Sequence, residues 1–372
     1  MRPVIYFMAG GTGGHVLPAL EIAQRLQAAG YEIRWMGTEQ GLEAKLVPQA
    51  GFVIDYLQIG GLRGKGLLRK LTMPVTLLRA VWQARGYLNA HPVALVVGMG
   101  GYAAGPGGLA ALTKRLPLVI HEQNAVAGLT NRVLAPFTRD TFTAYPSAFR
   151  ENAGAVITGN PVRAAISALP VPEARIANRA GPVRVLVLGG SLGALAMNER
   201  VPAGLAALAK QVPLSVRHQC GRAHLDKTEQ IYRDQAVDQE QMTVEVTPFI
   251  DDMAGAYAWA DFVIARAGAM SVAEIASAGV GALFIPFPHA VDDHQTQNAA
   301  FLVDAGAALL IQQDQLSPER LVDMLHPVLS DRTELLRRAQ AARATVAEDA
   351  AVTLASKMQA HAIQPQGAEV VS

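Results

Sequence analysis

Two glycine-rich turns follow hydrophobic, strand-like runs in this chain. Residues 4–9 lead into Gly10-Gly11-Thr12-Gly13-Gly14-His15, and residues 183–188 lead into Gly189-Gly190-Ser191-Leu192-Gly193. Glycine permits a tight turn and lets backbone N–H groups approach an oxyanion, while the helix start that follows carries a partial positive charge. Both turns therefore predict phosphate binding.

A third turn, Gly98-Met99-Gly100-Gly101-Tyr102, follows the strand-like residues 93–97. A dinucleotide-binding unit would show G-x-G-x-x-G, with an acidic residue about 20 positions later. The first turn lacks that spacing, although Glu32 stands at a possible strand start. A single glycine turn can serve tight packing alone, but three of them favour a sugar nucleotide or another phosphorylated ligand.

A ribose and diphosphate site is predicted after the strand-like residues 262–265. Small residues within 266–274 would let a diphosphate approach a helix start, and Glu274, one turn further on, can accept hydrogen bonds from a ribose diol. After the next strand, residues 286–289 lead to a polar cluster at 292–298. Because binding sites in open α/β sheets gather at the carboxyl ends of the strands, we expect both segments at one edge of a sheet.

Hydrophobic runs alternate with amphipathic stretches along both halves of the chain, which predicts an α/β fold of parallel sheets and crossover helices. With 372 residues, two Rossmann-like, doubly wound domains facing a cleft are expected. The strand-like runs are 3–8, 32–37, 52–57, 93–97, 118–121, 140–143, 183–188, 215–219, 243–247, 262–265 and 281–285.

The domain boundary is placed at the turn residues Thr158–Arg163, which precede a segment rich in proline and alanine. We expect an N-terminal, acceptor- and membrane-facing domain over 1–162 and a C-terminal, donor-binding domain over 163–340. A terminal helix at 341–363 should pack back on the N-terminal domain. Residues 364–372 look like a frayed tail.

The net charge of +1 hides an asymmetry between the halves. Up to Pro161 there are 15 Lys and Arg against 8 Asp and Glu, and after it there are 17 against 23. The single cysteine, Cys220, is expected to be a small core residue in a reducing compartment. No secretory leader pattern or membrane-spanning apolar run is recognised, so a cytoplasmic chain is expected.

Eight segments taken together resemble the MurG family of peptidoglycan N-acetylglucosaminyltransferases. They are Gly10–His15, Gly98–Tyr102, His121–Asn124, Gly159–Arg163, Gly189–Ser191, Phe249–Met253, 266–274 and 292–298, and they span about residues 4–310. The resemblance implies the GT-B fold. It also implies inverting transfer of N-acetylglucosamine from UDP-N-acetylglucosamine to the C4 hydroxyl of the muramyl sugar in undecaprenyl-pyrophosphoryl-N-acetylmuramoyl-pentapeptide (lipid I), which yields lipid II.

The resemblance carries a donor site over to this chain. Its residues are Thr12, Gly13, Gly14, Asn124, Arg163, Ser191, Ile250, Ala269, Met270, Ser271, Val272, Ala273, Glu274 and Gln295. Arg163 and Ser191 would hold the diphosphate, the main chain of Ile250 would read the uracil, Glu274 would bind the ribose and Gln295 the sugar hydroxyls. His294, where relatives can carry glutamine, is a secondary candidate.

An inverting displacement needs a base for the incoming hydroxyl and stabilisation of the departing diphosphate. His15 is the predicted base because its ordinary pKa of about 6.5 suits a proton acceptor near neutrality. Alternatively, His15 only positions the turn and Glu122 is the base. The chain has no Asp-x-Asp triplet, so we expect no metal and no cofactor, with a helix dipole and Arg163 stabilising the leaving group.

The segment Leu62–Leu88 combines an apolar series with six basic residues and no acidic one. Such a stretch can bind an anionic bilayer, or it can be an ordinary crossover helix whose apolar face is core. The lipid-linked acceptor favours the membrane. The predicted membrane residues are Arg63, Lys65, Leu67, Leu68, Arg69, Lys70, Leu78, Arg79 and Trp82.

The expected location is therefore the cytoplasmic face of the bacterial inner membrane, as a peripheral protein. Its partners would be UDP-N-acetylglucosamine, lipid I and the anionic membrane surface, and no nucleic acid. Two alternatives are another GT-B enzyme acting on a glycolipid or small aglycone, and a non-catalytic sugar-nucleotide-binding protein. A product assay with different acceptors separates all three.

Overall fold

The computed structural model of this protein describes residues 2–59, 67–149, 154–190, 193–346 and 349–363, with backbone alone for residues 67–72 and 291. The chain divides into two compact units. The first comprises Met1–Val162 with Glu348–Ser372, and the second comprises Arg163–Ala347. Each contains one parallel sheet with helices, so the predicted α/β architecture is confirmed.

The first unit contains a seven-stranded parallel sheet in the order β3-β2-β1-β4-β5-β6-β7. Its strands are β1 (Val4–Met8), β2 (Glu32–Gly37), β3 (Val53–Tyr56), β4 (Val93–Gly98), β5 (Leu118–Glu122), β6 (Asp140–Thr143) and β7 (Ala155–Ile157). The helices between them are α1 (Gly13–Ala28), α2 (Glu43–Gln49), α3 (Leu67–Asn89), α4 (Ala104–Thr113) and α5 (Leu129–Leu134), with a 3-10 turn at Ala135–Phe137.

The central strand β1 is buried along its whole length. Ile5 and Phe7 belong to one core with Ile22 of α1, while Tyr6 belongs to a second core with Ala84 of α3. A parallel strand covered on both faces has no solvent side, so its sequence is a continuous hydrophobic run instead of an alternating one.

The second unit contains a six-stranded parallel sheet in the order β10-β9-β8-β11-β12-β13. Its strands are β8 (Val183–Leu188), β9 (Leu214–Gln219), β10 (Met242–Thr247), β11 (Phe262–Ala265), β12 (Gly281–Phe284) and β13 (Ala308–Leu310). Its helices are α6 (Ala164–Ser167), α7 (Pro172–Ile176), α8 (Leu195–Ala209), α9 (Leu225–Asp234), α10 (Met253–Trp259), α11 (Ala269–Ala278), α12 (His294–Asp304), α13 (Pro318–Leu329) and α14 (Arg332–Ala344), with 3-10 turns at Arg222–His224, Val291–Asp293 and Gln313–Gln315.

All eleven strand-like runs of the sequence form strands. The two strands outside that series, β7 and β13, have three residues each and stand at the ends of their sheets. Three residues are too few to produce a recognisable periodic pattern.

The chain ends in the first unit. Helix α15 (Ala350–His361) packs against α1, and its Leu354 and Met358 are fully buried in the core that contains Ile22. Asp349 caps α15 by accepting hydrogen bonds from the next backbone N–H groups, and the His361 imidazole lies 2.7 Å from the Asp140 carboxylate. The segment 341–363 is thus divided: residues 341–344 complete α14, and α15 lies in the other unit.

Both sheets reverse their winding direction next to a glycine turn. In the first unit β1 lies between β2 and β4, and in the second β8 lies between β9 and β11. Glycine turns follow β1, β4 and β8 at their carboxyl ends. Such switch points leave a crevice at the carboxyl edge, where open α/β sheets bind ligands.

Candidate functional site

The first and third glycine turns of the first unit touch through their backbones. Gly11 has φ +89° and Gly101 has φ +87°, a conformation that side chains disfavour. A Cβ atom on Gly101 would lie 2.3 Å from the carbonyl oxygen of Gly10. These positions therefore require glycine because the turns after β1 and β4 pack directly on one another.

Thr12 and His15 form a pair at the start of α1. The Thr12 Oγ1 atom lies 3.1 Å from Nδ1 of His15, and His15 is half-exposed in the first turn of the helix. A Cβ on Gly100 would lie 2.8 Å from the His15 ring, so the third glycine turn makes room for the imidazole. When Nδ1–H donates to Thr12, Nε2 carries the lone pair that a base needs.

Glu43, at the start of α2, is a buried carboxylate that the sequence reasoning missed. Its Oε2 accepts a hydrogen bond from Gly11 N–H at 2.9 Å, and its Oε1 accepts from the backbone N–H and the hydroxyl of Thr38. The side chain is fully buried. The Gly11 N–H, which the glycine pattern offered to a phosphate, is therefore already bonded to an anion of the protein itself.

Glu122, the alternative base, lies at the end of β5 and is almost fully buried. Its Oε1 accepts from the backbone N–H and the side-chain amide of Asn124, and its Oε2 accepts from Gly128 N–H and the side-chain amide of Asn131. Four donors therefore hold this carboxylate, which fixes the loop after β5. This arrangement suits a structural role better than proton abstraction.

His121, next to Glu122, is also buried. Its Nε2 lies 2.9 Å from the Gly159 carbonyl oxygen, and the Gln123 amide lies 3.3 Å from its Nδ1. Burial lowers the pKa of His121 to about 4, against the opposing effects of the Gly159 carbonyl and Glu122. The imidazole is thus a neutral link between β5 and the Gly159–Asn160 turn.

In the second unit, a pocket of about 570 Å³ opens beside the glycine turn after β8. Gly189, Gly190, Gly193, Arg266, Gly268, Ser271, Phe287, His289, Gln295 and Gln313 are among its lining residues. Two predicted donor residues, Ser271 and Gln295, thus share one cavity with the second glycine turn. Ser191 lies outside the described residues.

Arg163 and Glu274, both predicted to hold the donor, bind each other. Arg163 Nη2 lies 2.9 Å from Glu274 Oε1, and the Tyr257 hydroxyl donates to Oε2 at 3.2 Å. Burial raises the pKa of Glu274, while Arg163 and Tyr257 act in the opposite direction. Arg163 Nε is buried without a hydrogen-bond partner among the described residues. Sequence reasoning missed Tyr257, which stands on α10 one turn after the segment Phe249–Met253.

Helix α11 presents the predicted 269–274 segment through its main chain. It begins after Gly268, whose extended conformation ends the loop from β11. Ala269 and Val272 are buried, so only their backbone can face a ligand, whereas Met270, Ser271 and Ala273 are partly exposed. A ten-residue helix with small residues in its first turn can accept an anion at its N-terminus.

The remaining donor candidates of this unit lie beyond the carboxyl ends of strands at the same edge. Ile250 follows β10 and is half-exposed, and His294 and Gln295 begin α12. The Gln295 Oε1 atom accepts from Phe287 N–H at 2.9 Å, which leaves its amide protons for a ligand.

Arg266 is a cation of the pocket that was not among the predicted site residues. Its guanidinium donates to the carbonyls of Ile285 and Pro286 and to Gln313 Oε1, and it lies over the Phe287 ring. Burial lowers its pKa to about 10, so it remains charged at neutral pH. Its place directly after β11, at the carboxyl edge, was the signal that could have identified it.

A second cavity, of about 850 Å³, lies at the carboxyl edge of the first unit. It is lined by Gly11 and Tyr102 of the glycine turns, by residues that follow β2, by residues of β3 and the loop after it, and by Thr76, Gln83 and Tyr87 of α3. Most of these side chains are neutral hydrogen-bonding groups, which suits a polyhydroxylated or amide-containing ligand.

In its described part, helix α3 buries one face on the core and exposes large apolar residues elsewhere. Ala80, Ala84 and Leu88 are buried, whereas Leu78 is 61% and Trp82 is 74% exposed. The predicted membrane residue Arg79 is exposed as well. Arg63 and Lys65 lie outside the described residues, and only the backbone of Leu67, Leu68, Arg69 and Lys70 is described, as helix.

An ordinary crossover helix has an apolar face on the core and charged or polar side chains on its opposite face. The exposed apolar residues of α3 therefore favour a binding face over a purely structural helix. None of the described helices is both long and apolar enough to cross a membrane.

Comparisons with known proteins agree with one another. Residues 5–143 match the family model of the glycosyltransferase family 28 N-terminal domain, and residues 184–354 match the model of the family's C-terminal domain. A protein of Aeromonas hydrophila is 48% identical over 357 residues, which cover 96% of each chain. A protein of Alkalilimnicola ehrlichii is 50% identical over 355 residues, which cover 95% of this chain and 98% of the relative.

Both relatives are named UDP-N-acetylglucosamine–N-acetylmuramyl-(pentapeptide) pyrophosphoryl-undecaprenol N-acetylglucosamine transferase. Among solved structures, the crystal structure of Acinetobacter baumannii MurG matches with a TM-score of 0.85 at 41% identity. The match covers 96% of this chain and 100% of that one.

Proposed function

Because both of its halves match domains of glycosyltransferase family 28, the chain belongs to that family, and we propose that it catalyses the lipid-linked step of peptidoglycan synthesis. It is a hexosyltransferase that moves N-acetylglucosamine from UDP-N-acetylglucosamine to undecaprenyl-pyrophosphoryl-N-acetylmuramoyl-pentapeptide, converting lipid I to lipid II. The observation that carries the proposal is the identity of about half of all positions, over nearly the full length of both chains, with relatives named for this reaction.

The donor end of the reaction is assigned to the second unit. The glycine turn after β8, the start of α11 and Gln295 line or border a pocket of about 570 Å³, which lies within the range for small-molecule sites. Arg163 Nε is a buried donor for which the described residues supply no acceptor. A diphosphate oxygen would satisfy it, and α11 would add the partial charge of its N-terminus.

Glu274 is proposed to bind the ribose while it stays paired with Arg163. A carboxylate has about four acceptor sites, and the described contacts use one on each oxygen. A ribose diol can therefore bind without breaking the ion pair. The uracil contact of Ile250 and the contacts of Thr12, Gly13, Gly14 and Asn124 remain predictions from the family resemblance.

The acceptor end is assigned to the first unit, with His15 as base. The cavity of about 850 Å³ is lined by Gly11, in the turn that precedes His15, and a sugar hydroxyl bound there is proposed to be presented to the imidazole. In a single displacement His15 Nε2 takes the hydroxyl proton, the acceptor oxygen attacks the anomeric carbon, and UDP leaves with inversion. Thr12 orients the imidazole, and Glu122 holds the loop after β5.

The departing diphosphate is proposed to be stabilised by the protein alone. Arg163 and the N-terminus of α11 supply positive potential where the negative charge develops. Arg266, which lines the pocket of the second unit, adds another positive charge. Metal-independent catalysis remains a prediction, with retention of activity in EDTA as its direct check.

Helix α3 is proposed to dock on an anionic membrane surface at the cytoplasmic face. Leu78 and Trp82 would enter the headgroup region while Arg79 contacts anionic lipids. Each basic residue near such a surface contributes about 1 kcal/mol. The lipid-linked acceptor requires access to the bilayer, which a peripheral docking face provides.

Product formation tests the enzymatic proposal. Purified protein is given labelled UDP-N-acetylglucosamine and a lipid I analogue, with a soluble aglycone and a second glycolipid in parallel. We expect disaccharide product from the lipid I analogue alone. Product from the other acceptors would indicate a different family 28 activity, and donor binding without any product would indicate a binding protein.

Vesicle co-sedimentation tests the membrane proposal. Replacing Leu78 and Trp82 together by serine should reduce binding to phosphatidylglycerol vesicles about tenfold and slow turnover of bilayer-embedded acceptor, but spare a short-chain soluble acceptor. Arg79→Glu should make the remaining binding less sensitive to salt. The matched control is Val171→Ser, an exposed apolar residue of the second unit. Equal loss with both acceptors would reject α3 as the docking face.

A further inference from the structure

Gln219 is the last residue of β9, and its side chain bridges two loops that β9 separates. The order of strands places β9 between β8 and β10, so the loops that follow those two strands emerge on either side of Gln219. One is the glycine turn that begins at Gly189. The other begins at Pro248 and contains Ile250.

The amide nitrogen of Gln219 donates to both loops. Nε2 lies 2.9 Å from the carbonyl oxygen of Gly190 and 3.3 Å from that of Pro248. Because both neighbours are acceptors, the atom that faces them must be the nitrogen, which carries two protons. Gln219 is only 5% exposed, so these bonds are shielded from water.

The backbone around Gln219 ties the same two loops. Gly189 N–H donates to the Gln219 carbonyl oxygen at 3.1 Å, and Cys220 N–H donates to that of Thr247 at 3.0 Å. Gly193 lies so close to the end of β9 that a Cβ atom on it would be 2.2 Å from the Cys220 carbonyl oxygen. The end of β9 is therefore a rigid spacer between the neighbouring loops.

We propose that Gln219 is a positioning residue that fixes the distance between the loop that binds the donor diphosphate and the loop that reads its base. The inference rests on the proposed function, which assigns the glycine turn to the diphosphate and Ile250 to the uracil. A nucleoside diphosphate spans both loops, whereas a nucleoside or a pyrophosphate ion touches only one. Gln219 thus contributes to binding of the whole nucleotide more than to binding of either part.

The experiment compares three ligands on Gln219→Met, which keeps the side-chain volume and removes both donors. Affinities for UDP, uridine and inorganic pyrophosphate are measured by displacement titration on the full chain. We expect UDP to bind about tenfold more weakly, and uridine and pyrophosphate to change by no more than two- to threefold. In turnover, the KM for UDP-N-acetylglucosamine should rise with kcat little changed.

The control is Thr243→Val, which removes a side-chain hydrogen bond between β10 and β9, from Thr243 to Ser215, away from the carboxyl ends of these strands. It should leave all three affinities unchanged. Gln219→Asn, whose shorter amide reaches one carbonyl at most, should give an intermediate loss for UDP, and it serves as the test if the methionine variant does not fold.

Three outcomes would overturn the proposal: unchanged UDP affinity, an equal loss for all three ligands, or a loss confined to uridine or to pyrophosphate. Failure of the proposed function has a different signature, since the wild-type chain would then not bind UDP or would form no product. The two ideas can therefore fail separately.

Discussion

His15 is the side chain on which the proposed displacement depends most directly. A general base contributes about 10²- to 10⁴-fold, so His15→Ala should lower kcat by that order while the Kd for UDP changes by only a few fold. Single-turnover kinetics measure the effect. The control is His326→Ala, because His326 is a partly buried histidine on α13. A fall of less than tenfold would assign the base elsewhere.

Glu43 is expected to stabilise the turn that carries His15. In Glu43→Gln, the amide oxygen can still accept hydrogen bonds from Thr38. The amide nitrogen then faces the Gly11 N–H, so two donors oppose each other in a buried site. Hydrogen bonds to a charged group contribute about 1.5–3 kcal/mol. We expect the free energy of unfolding to fall by about that amount, together with kcat.

Urea unfolding measures the effect of Glu43→Gln, with Glu32→Gln as control. Glu32 is an acidic residue of the same unit whose side chain is 47% exposed and lies 3.8 Å from the Arg34 guanidinium. A loss below about 0.5 kcal/mol, the usual size for surface substitutions, would contradict the structural role of Glu43.

Sequence reasoning found residues whose role depends on local pattern and missed those whose role depends on distant partners. The glycine turns, Ser271 and Gln295 stand beside recognisable strands or helix starts. Glu43 instead reaches a glycine 32 positions away, and Gln219 reaches one 29 positions away. Such contacts exist only once strands are paired in a sheet, so no spacing rule predicts them.

At the scale of elements, the strand β5 and the strand β9 each carry a buried histidine. Burial lowers the pKa of His121 to about 4 and that of His218 to about 3. His218 lies between the Tyr232 hydroxyl and the Asn198 side chain. In the unfolded chain both titrate near 6.5, so the folded state binds fewer protons than the unfolded state below that pH.

The contribution of these neutral histidines to the free energy of unfolding should therefore be fully present above about pH 6.5. It should fall as the pH drops from there towards 4. At pH 5 the contribution lost at His121 alone is about 2 kcal/mol by linkage. Urea unfolding at pH 7.5 and pH 5.0 measures it, and His121→Gln should show a smaller difference between the two pH values. An unchanged difference in that variant would mean that His121 is not buried as a neutral group.

The elements were predicted more completely than the site. Parallel strands covered on both faces are continuous hydrophobic runs, which is why β1 and β8 were recognisable, whereas three-residue edge strands were not. Helix α3 shows the limit: its sequence suited either a membrane face or a core face. Only the exposure of Leu78 and Trp82 separates the two.

For the whole molecule, removal of α15 should destabilise the first unit and spare the second. A chain ending at Ala347 loses Leu354 and Met358 from the core that contains Ile22. Deleting large buried side chains costs about 2–5 kcal/mol each. We expect calorimetry to show a separate transition at lower temperature, and a chain ending at Ile363 to melt like the full chain. Identical melting of both truncations would contradict the structural role of α15.

The return of α15 to the first unit also sets the order in which the protein can finish folding. About 190 residues separate the end of the first unit's main segment from α15, and at about 5–20 residues per second their synthesis takes roughly 10–40 s. During that time the nascent first unit keeps the face of α1 that α15 will cover exposed on the ribosome. We expect this apolar face of α1 to be covered only once α15 has been made, because Leu354 and Met358 share its core.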